Sequence, residues 1–208
     1  MREVDPFHVV YLTGPPATGK STLVSLLMQS VQPLQDFTYS KMLAEYIAER
    51  HTEPLREDQL RAHSAQLITP EDVNAVDQKL IGLVSVKRQQ SHIIIDSHAV
   101  TKERYGYRVT AFSAEMLKAV RPTMVCMLYT QPEVVISRIE ANNQGRPQIS
   151  TFEAQFHTEL QTAVAATYAI LLGVPLYLLD SSKPTAELAD EIIKQLEAQN
   201  PATRRLFE

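Results

Sequence analysis

What this chain lacks narrows it first. Among 208 residues there is one cysteine, Cys126, so no intramolecular disulfide can form. It sits in the apolar run Met124-Val125-Cys126-Met127-Leu128-Tyr129, the setting of a small core residue. No apolar run approaches the roughly 20 residues of a membrane span. The start, Met1-Arg2-Glu3-Val4-Asp5, is charged where a secretory leader would be apolar, which predicts a cytoplasmic protein. No repeat, low-complexity tract or linker divides the chain. Positive charge is not in excess either. A net charge of −4 argues against a large sequence-independent surface for nucleic acid. No Lys or Arg occurs from Pro147 through Ser182, so cationic contacts to a ligand come from earlier segments. No Ser-His-Asp set and no paired carboxylates stand out.

What is present is an alternation of short apolar runs with longer helical stretches, the pattern of βαβ units and an α/β fold. Val9-Val10-Tyr11-Leu12 predicts a first strand, and Ser21 to Met28 a helix carrying Leu23, Leu26 and Leu27. Residues 39–66 predict one or two polar helices with a break near Pro54. Thr69-Pro70-Glu71-Asp72 is a helix start: a hydroxyl cap, proline in the first turn and two carboxylates at the positive end of the dipole. That helix runs to about Gln89. His92-Ile93-Ile94-Ile95-Asp96 predicts a central parallel strand, buried on both faces. Met124 to Tyr129 and Pro175 to Asp180 predict two more strands. Thr130-Gln131-Pro132-Glu133 and Ser150-Thr151-Phe152-Glu153 resemble capping boxes opening further helices, the second running to about Leu172. A terminal helix spans about Thr185 to Ala198. Between the two capped helices, Ala141 to Ile149 is a loop rich in Asn, Gln, Gly and Pro.

The chemistry starts at Gly14-Pro15-Pro16-Ala17-Thr18-Gly19-Lys20-Ser21, which satisfies G-x-x-x-x-G-K-[ST] between a strand and a helix. Glycines let successive N–H groups turn inward around a phosphate, and the following helix adds its N-terminal dipole. The pattern predicts a nucleoside triphosphate site made by residues 14–21 and Thr22. Lys20 would reach the β- and γ-phosphates, and the Ser21 hydroxyl would hold Mg²⁺. Asp96 closes an apolar strand, where a P-loop protein places a carboxylate beside the metal. His98, two residues on, is a candidate substrate contact. Arg138 leads into the 141–149 loop and Arg146 lies within it. Both are candidates for neutralising a phosphoryl group in transfer. Arg61, with Ser40 and Lys41 at the Tyr39-Ser40-Lys41 helix start, is placed to face an acceptor phosphate.

Taken in order, these blocks resemble the nucleoside monophosphate kinases, most closely the archaeal-type adenylate kinases and their bacterial relatives. The resemblance rests on the N-terminal P-loop and on Glu57-Asp58-Gln59-Leu60-Arg61. It also rests on Ile95-Asp96-Ser97-His98 with Tyr105-Gly106-Tyr107, and on a short Arg-bearing lid before Ser150-Thr151-Phe152-Glu153. It implies a three-layer P-loop NTPase fold, a five-stranded parallel sheet flanked by helices. It implies one domain over residues 1–208, with a helical monophosphate-binding segment at about 36–90 and a lid loop at 141–150. Mg-ATP is then the donor and a nucleoside monophosphate, AMP by default, the acceptor. Two other readings stand beside it. Gly14-Pro15-Pro16-Ala17-Thr18-Gly19-Lys20 also resembles the P-loop of AAA+ ATPases, which would make the protein an ATPase or an ATP-gated assembly factor. The same fold also allows a different small-molecule or macromolecular acceptor.

Overall fold

The apolar, β-branched runs form the centre of a parallel sheet, because only strands covered on both faces keep a continuous hydrophobic sequence. The computed structural model describes residues 7–50, 68–142 and 148–198. In chain order its elements are β1 (Val9–Thr13), α1 (Lys20–Ser30), β2 (Leu34–Thr38), α2 (Tyr39–Arg50) and α3 (Pro70–Lys87). There follow β3 (His92–Asp96), β4 (Val100–Glu103), β5 (Gly106–Val109), α4 (Ala114–Val120) and β6 (Met124–Tyr129). The chain then forms α5 (Pro132–Ala141), α6 (Thr151–Leu172), β7 (Leu176–Asp180) and α7 (Thr185–Ala198).

Five strands pair in the order β2-β3-β1-β6-β7, every pair parallel. Strand β1 lies in the middle, with Leu12 beside Asp96 of β3 and Thr13 beside Met127 of β6. Alternation along each strand sends side chains to opposite faces. Val9, Tyr11, Ile93, Ile95, Val125 and Met127 pack under α2, α3, α4 and α6. Val10, Leu12, Ile94, Cys126 and Leu128 pack under α1 and α7. The result is a three-layer α/β P-loop fold with seven helices among the described residues. Cys126 is buried as its sequence neighbours predict, and burial pushes its thiol up to about 12. No helix of the described residues is long and apolar enough to cross a membrane.

Two of the three predicted caps form. Thr69 and Ser150 each accept from the backbone N–H three residues on, and Asp72 and Glu153 reach back to complete capping boxes. The third does not form, since α5 takes Gln131 as its N-cap, without a side-chain bond. Proline sits at the first helical position, so the cap is the residue directly before it. That residue is Thr69 before Pro70, but Gln131 before Pro132, which leaves the Thr130 hydroxyl buried without a hydrogen-bond partner among the described residues.

Candidate functional site

Strand β1 ends at Thr13 and helix α1 starts at Lys20, so residues 14–19 make the whole turn at the C-terminal edge of the sheet. Gly14 has φ +151, and a Cβ there would lie 2.6 Å from the Leu128 carbonyl oxygen of β6. Any side chain would force the loop off the sheet. Gly19, at φ +88, caps α1 with no side-chain hydrogen bond, which leaves the first-turn N–H groups for a ligand. Ala17 holds φ +63, a conformation that costs a non-glycine residue about 1–2 kcal/mol and that concentrates at ligand sites. Inside the loop, Thr18 Oγ1 donates to the Pro15 carbonyl at 2.8 Å. Lys20 is buried, and its ammonium curls over the loop to donate to Gly14 O at 2.8 Å and Pro15 O at 3.2 Å.

Asp96 lies one strand away. The Ser97 N–H donates to Leu12 O, which fixes the end of β3 against β1. The carboxylate is buried, and its Oδ1 has no hydrogen-bond partner among the described residues. Burial raises its pKa; Lys20 lowers it, Asp36 on β2 raises it and Lys41 lowers it. A buried carboxylate oxygen without a donor, beside the P-loop lysine, suits a hard cation. Ser21, exposed in the first turn of α1 directly after Lys20, offers a hydroxyl oxygen from the P-loop itself. Among the described residues no cluster of three or more His, Cys, Asp or Glu could form a metal cage. The donor set therefore suits Mg²⁺ sharing its shell with phosphate oxygens and water, as that ion does.

Behind the loop is a cavity of about 290 Å³, lined by Ala17, Thr22, Leu23, Leu128, Arg138 and Leu188 among others. Arg138 of α5 closes one side, donating from Nη1 to Ala17 O at 3.1 Å and from Nη2 to Ser181 O at 3.0 Å. Its guanidinium thus bridges the P-loop and the β7–α7 connection. Ser181 also lines the cavity, buried, with an Oγ that has no hydrogen-bond partner among the described residues. The lining mixes Leu23, Leu128 and Leu188 with the polar groups of Thr18, Thr22 and Thr185 and the Arg138 guanidinium, whose plane could stack on a flat heterocycle.

On the other side of Asp96 lies the edge strand β2, whose Thr38 is beside it. Ser40 and Lys41 are exposed at the start of α2, directly after it, and His98 is exposed just beyond Asp96. Tyr39 donates to Asp77 Oδ1 of α3 at 2.7 Å, which ties α2 to α3. Arg61 and Arg146, and with them the 57–61 block and the middle of the lid loop, lie outside the described residues.

Sequence reasoning did not single out Asp36, Ser181, Gln161 or the β4–β5 hairpin. The hairpin clasps the start of α6 through Lys102–Glu153 at 2.8 Å, and Tyr107 donates to Glu153 O at 2.7 Å. Glu153 is held down to about 2, by Lys102 first and then by its cap bonds to Ser150. Gln161 had a usable signal. It is polar yet falls in phase with Ala154, Ala165 and Tyr168 on the buried stripe of α6.

Comparison with known proteins places this geometry. The chain is 24% identical over 196 residues to the adenylate kinase of Pyrococcus horikoshii, covering 92% of this chain and 96% of that one. It is 23% identical over 192 residues to the adenylate kinase of Methanocaldococcus jannaschii, covering 90% and 95%. Among solved structures, shikimate kinase from Acinetobacter baumannii superposes with a TM-score of 0.58 at 15% identity, over 95% of this chain and 97% of that one. The tunicamycin resistance protein of Deinococcus radiodurans gives 0.55 at 13% identity, over 91% and 95%. A family model described as an AAA domain matches residues 13–154, from the last residue of β1 to the first turn of α6. That match spans more than half of the chain, and the chain belongs to this family of P-loop domains.

Proposed function

We propose that the protein is an ATP-dependent phosphotransferase that moves the γ-phosphate of Mg-ATP to a nucleoside monophosphate, AMP by default. The observation that carries this reading is its similarity to archaeal adenylate kinases over more than nine tenths of both chains. The site agrees with it: a donor cavity behind the P-loop, a buried carboxylate at Asp96, and exposed Ser40 and Lys41 on the far side of that carboxylate.

An acceptor phosphate is already ionised at neutral pH, so no catalytic base is required and positioning with charge carries the reaction. The loop N–H groups and Lys20 hold the donor phosphates, with Lys20 leaving the Gly14 and Pro15 carbonyls to do so. Bound Mg²⁺ would neutralise charge on the donor, and Asp96 with Ser21 would hold it. Arg138 orients the donor from the cavity wall. Arg146, in the lid loop of 141–150, covers the moving group, and Arg61 with Lys41 and His98 receives the acceptor. In this reading residues 1–208 are one kinase domain, with 36–90 as its acceptor segment.

A second reading, the same fold with another acceptor, is favoured by one feature: α6 carries no Lys or Arg along its 22 residues. The deciding experiment incubates Mg-ATP with each ribo- and deoxynucleoside monophosphate and with small hydroxyl compounds, following ADP and the phosphorylated product. A nucleoside diphosphate product supports the proposal, and phosphorylation of a hydroxyl compound alone replaces it. ADP formed without any acceptor product points to the ATPase that the AAA-type loop allows.

A further inference from the structure

Helix α6 meets the sheet with two polar side chains one turn apart, His157 and Gln161, where the rest of its buried face is Ala154, Ala165, Tyr168 and Ala169. Both engage the same residue. Gln161 Oε1 accepts from the Val100 N–H at 3.1 Å, and the His157 Nε2–H donates to the Val100 carbonyl at 3.1 Å. The other end of the Gln161 amide donates to Thr13 Oγ1 at 2.8 Å. Thr13, Val100 and Gln161 are all at 0% exposure, so water cannot replace these bonds.

The three residues belong to three different parts of the phosphate site. Thr13 is bonded to Gly14 of the P-loop. Val100 lies four residues past Asp96. Gln161 stands on the helix that follows the lid loop and that packs, through Ala154, with Val135 and Ile139 of α5 and with Ala17. One residue of slippage along α6 is a 1.5 Å shift and would break all three bonds. An apolar residue at 161 would fill the space without fixing that register. Polar groups buried and paired in this way specify one arrangement among several that pack equally well.

We propose that Gln161 is a positioning residue for phosphoryl transfer: it keeps the α5–α6 arm in register with the P-loop and with the Asp96 segment, so that nucleotide bound on one side is felt on the other. This rests on the P-loop as a nucleotide site, not on the identity of the acceptor. The test uses the full chain and Mg-ATP as probe, in four variants. Gln161→Met keeps length and removes both bonds, while Gln161→Glu keeps an acceptor for Val100 and can accept a hydrogen bond donated by the Thr13 hydroxyl. Thr13→Val removes the third partner. Thr167→Ala, on the exposed side of α6, is the control.

In the native chain, Mg-ATP should slow amide exchange in residues 132–141 and 151–161. In Gln161→Met and Thr13→Val this protection should disappear while the affinity for Mg-ATP stays within about threefold. Turnover should fall on the order of 10- to 100-fold, with KM for Mg-ATP little changed. Gln161→Glu should recover part of both, and Thr167→Ala should match the native chain. Retained protection and turnover in Gln161→Met would overturn the proposal. So would a Gln161→Glu variant no better than Gln161→Met, which would mark the residue as packing alone. A native chain that binds Mg-ATP but phosphorylates nothing in the panel would sink the kinase reading and leave the exchange result to judge Gln161 separately.

Discussion

The two sides of the crevice are built by different means. At the P-loop the wall is made by backbone: Gly14 pressed against β6, Ala17 and Gly19 in left-handed conformations, and carbonyls of Ala17 and Ser181 tied together by Arg138. At the side proposed for the acceptor, Ser40, Lys41 and His98 are exposed around the edge strand β2, of which only Leu34 is buried. A backbone-made site tolerates little substitution and says little about which base it holds. A side-chain-made site is easily changed, which is how one P-loop fold takes many acceptors.

That contrast can be broken in several places. The largest effect is expected from Lys20→Ala, which should lower kcat by about 10²–10³ with the fold retained, as loss of one positioned charge does. A folded Lys20→Ala protein with native turnover would remove the P-loop from the mechanism. Next comes acid. Burial is the main cause that pulls His157 down to about 4, opposed by its bond to Val100, with Lys20 and Lys102 adding to the fall. The unfolded chain binds that proton near the ordinary 6.5 and the folded chain does not. Stability is therefore full above pH 6.5 and falls as pH drops toward 4, by on the order of 3 kcal/mol. His8 and His92, stacked with ring centres 5.6 Å apart and both lowered chiefly by burial, act in the same direction. Thermal midpoints measured from pH 8 to 4 should be level at first and then decline, and His157→Gln should flatten the slope.

Gly14→Ala should cost about 1–3 kcal/mol through the Leu128 contact and the positive φ, read by denaturant unfolding. It should also abolish Mg-ATP binding, since the loop must leave β6 to admit a Cβ. Arg138→Ala should raise KM for Mg-ATP about tenfold and leave the acceptor KM unchanged. An effect on the acceptor alone would move this arginine across the crevice. The smallest effect is expected from Lys41→Ala, a few-fold rise in acceptor KM with Mg-ATP unaffected, because an exposed charge is screened.

The P-loop was legible in the sequence because its demands are local. Glycine at 14 and 19, lysine at 20 and a flanking strand and helix are all within 22 residues. The central strands were legible because burial on both faces makes β1, β3 and β6 continuous apolar runs. Strand β2, Leu-Gln-Asp-Phe-Thr, shows no such run because it is half-buried at an edge. Helix α4 is too short to show a period, and the charges of the β4–β5 hairpin pair across it, Glu103 with Arg108, or against α6, Lys102 with Glu153. The role of Gln161 was not legible, because its partners Thr13 and Val100 lie 148 and 61 residues away. The same holds for Arg138: its place on a helix was evident, but its two carbonyl partners are set by tertiary contact.

The parallel sheet also sets the order in which this protein becomes competent. The P-loop is synthesised before the strands that flank β1, and β1 must wait for partners 84 and 114 residues further along the chain, Ile93 beside Val9 and Met124 beside Val10. Leu128, Arg138, Gln161 and Ser181, which brace the loop, are made later still. Such long-range pairings form slowly and only when most of the domain is in place. A nascent chain therefore carries the nucleotide signature well before it gains the nucleotide site, which forms near the end of folding. Binding of ATP to this protein should report on a completed fold.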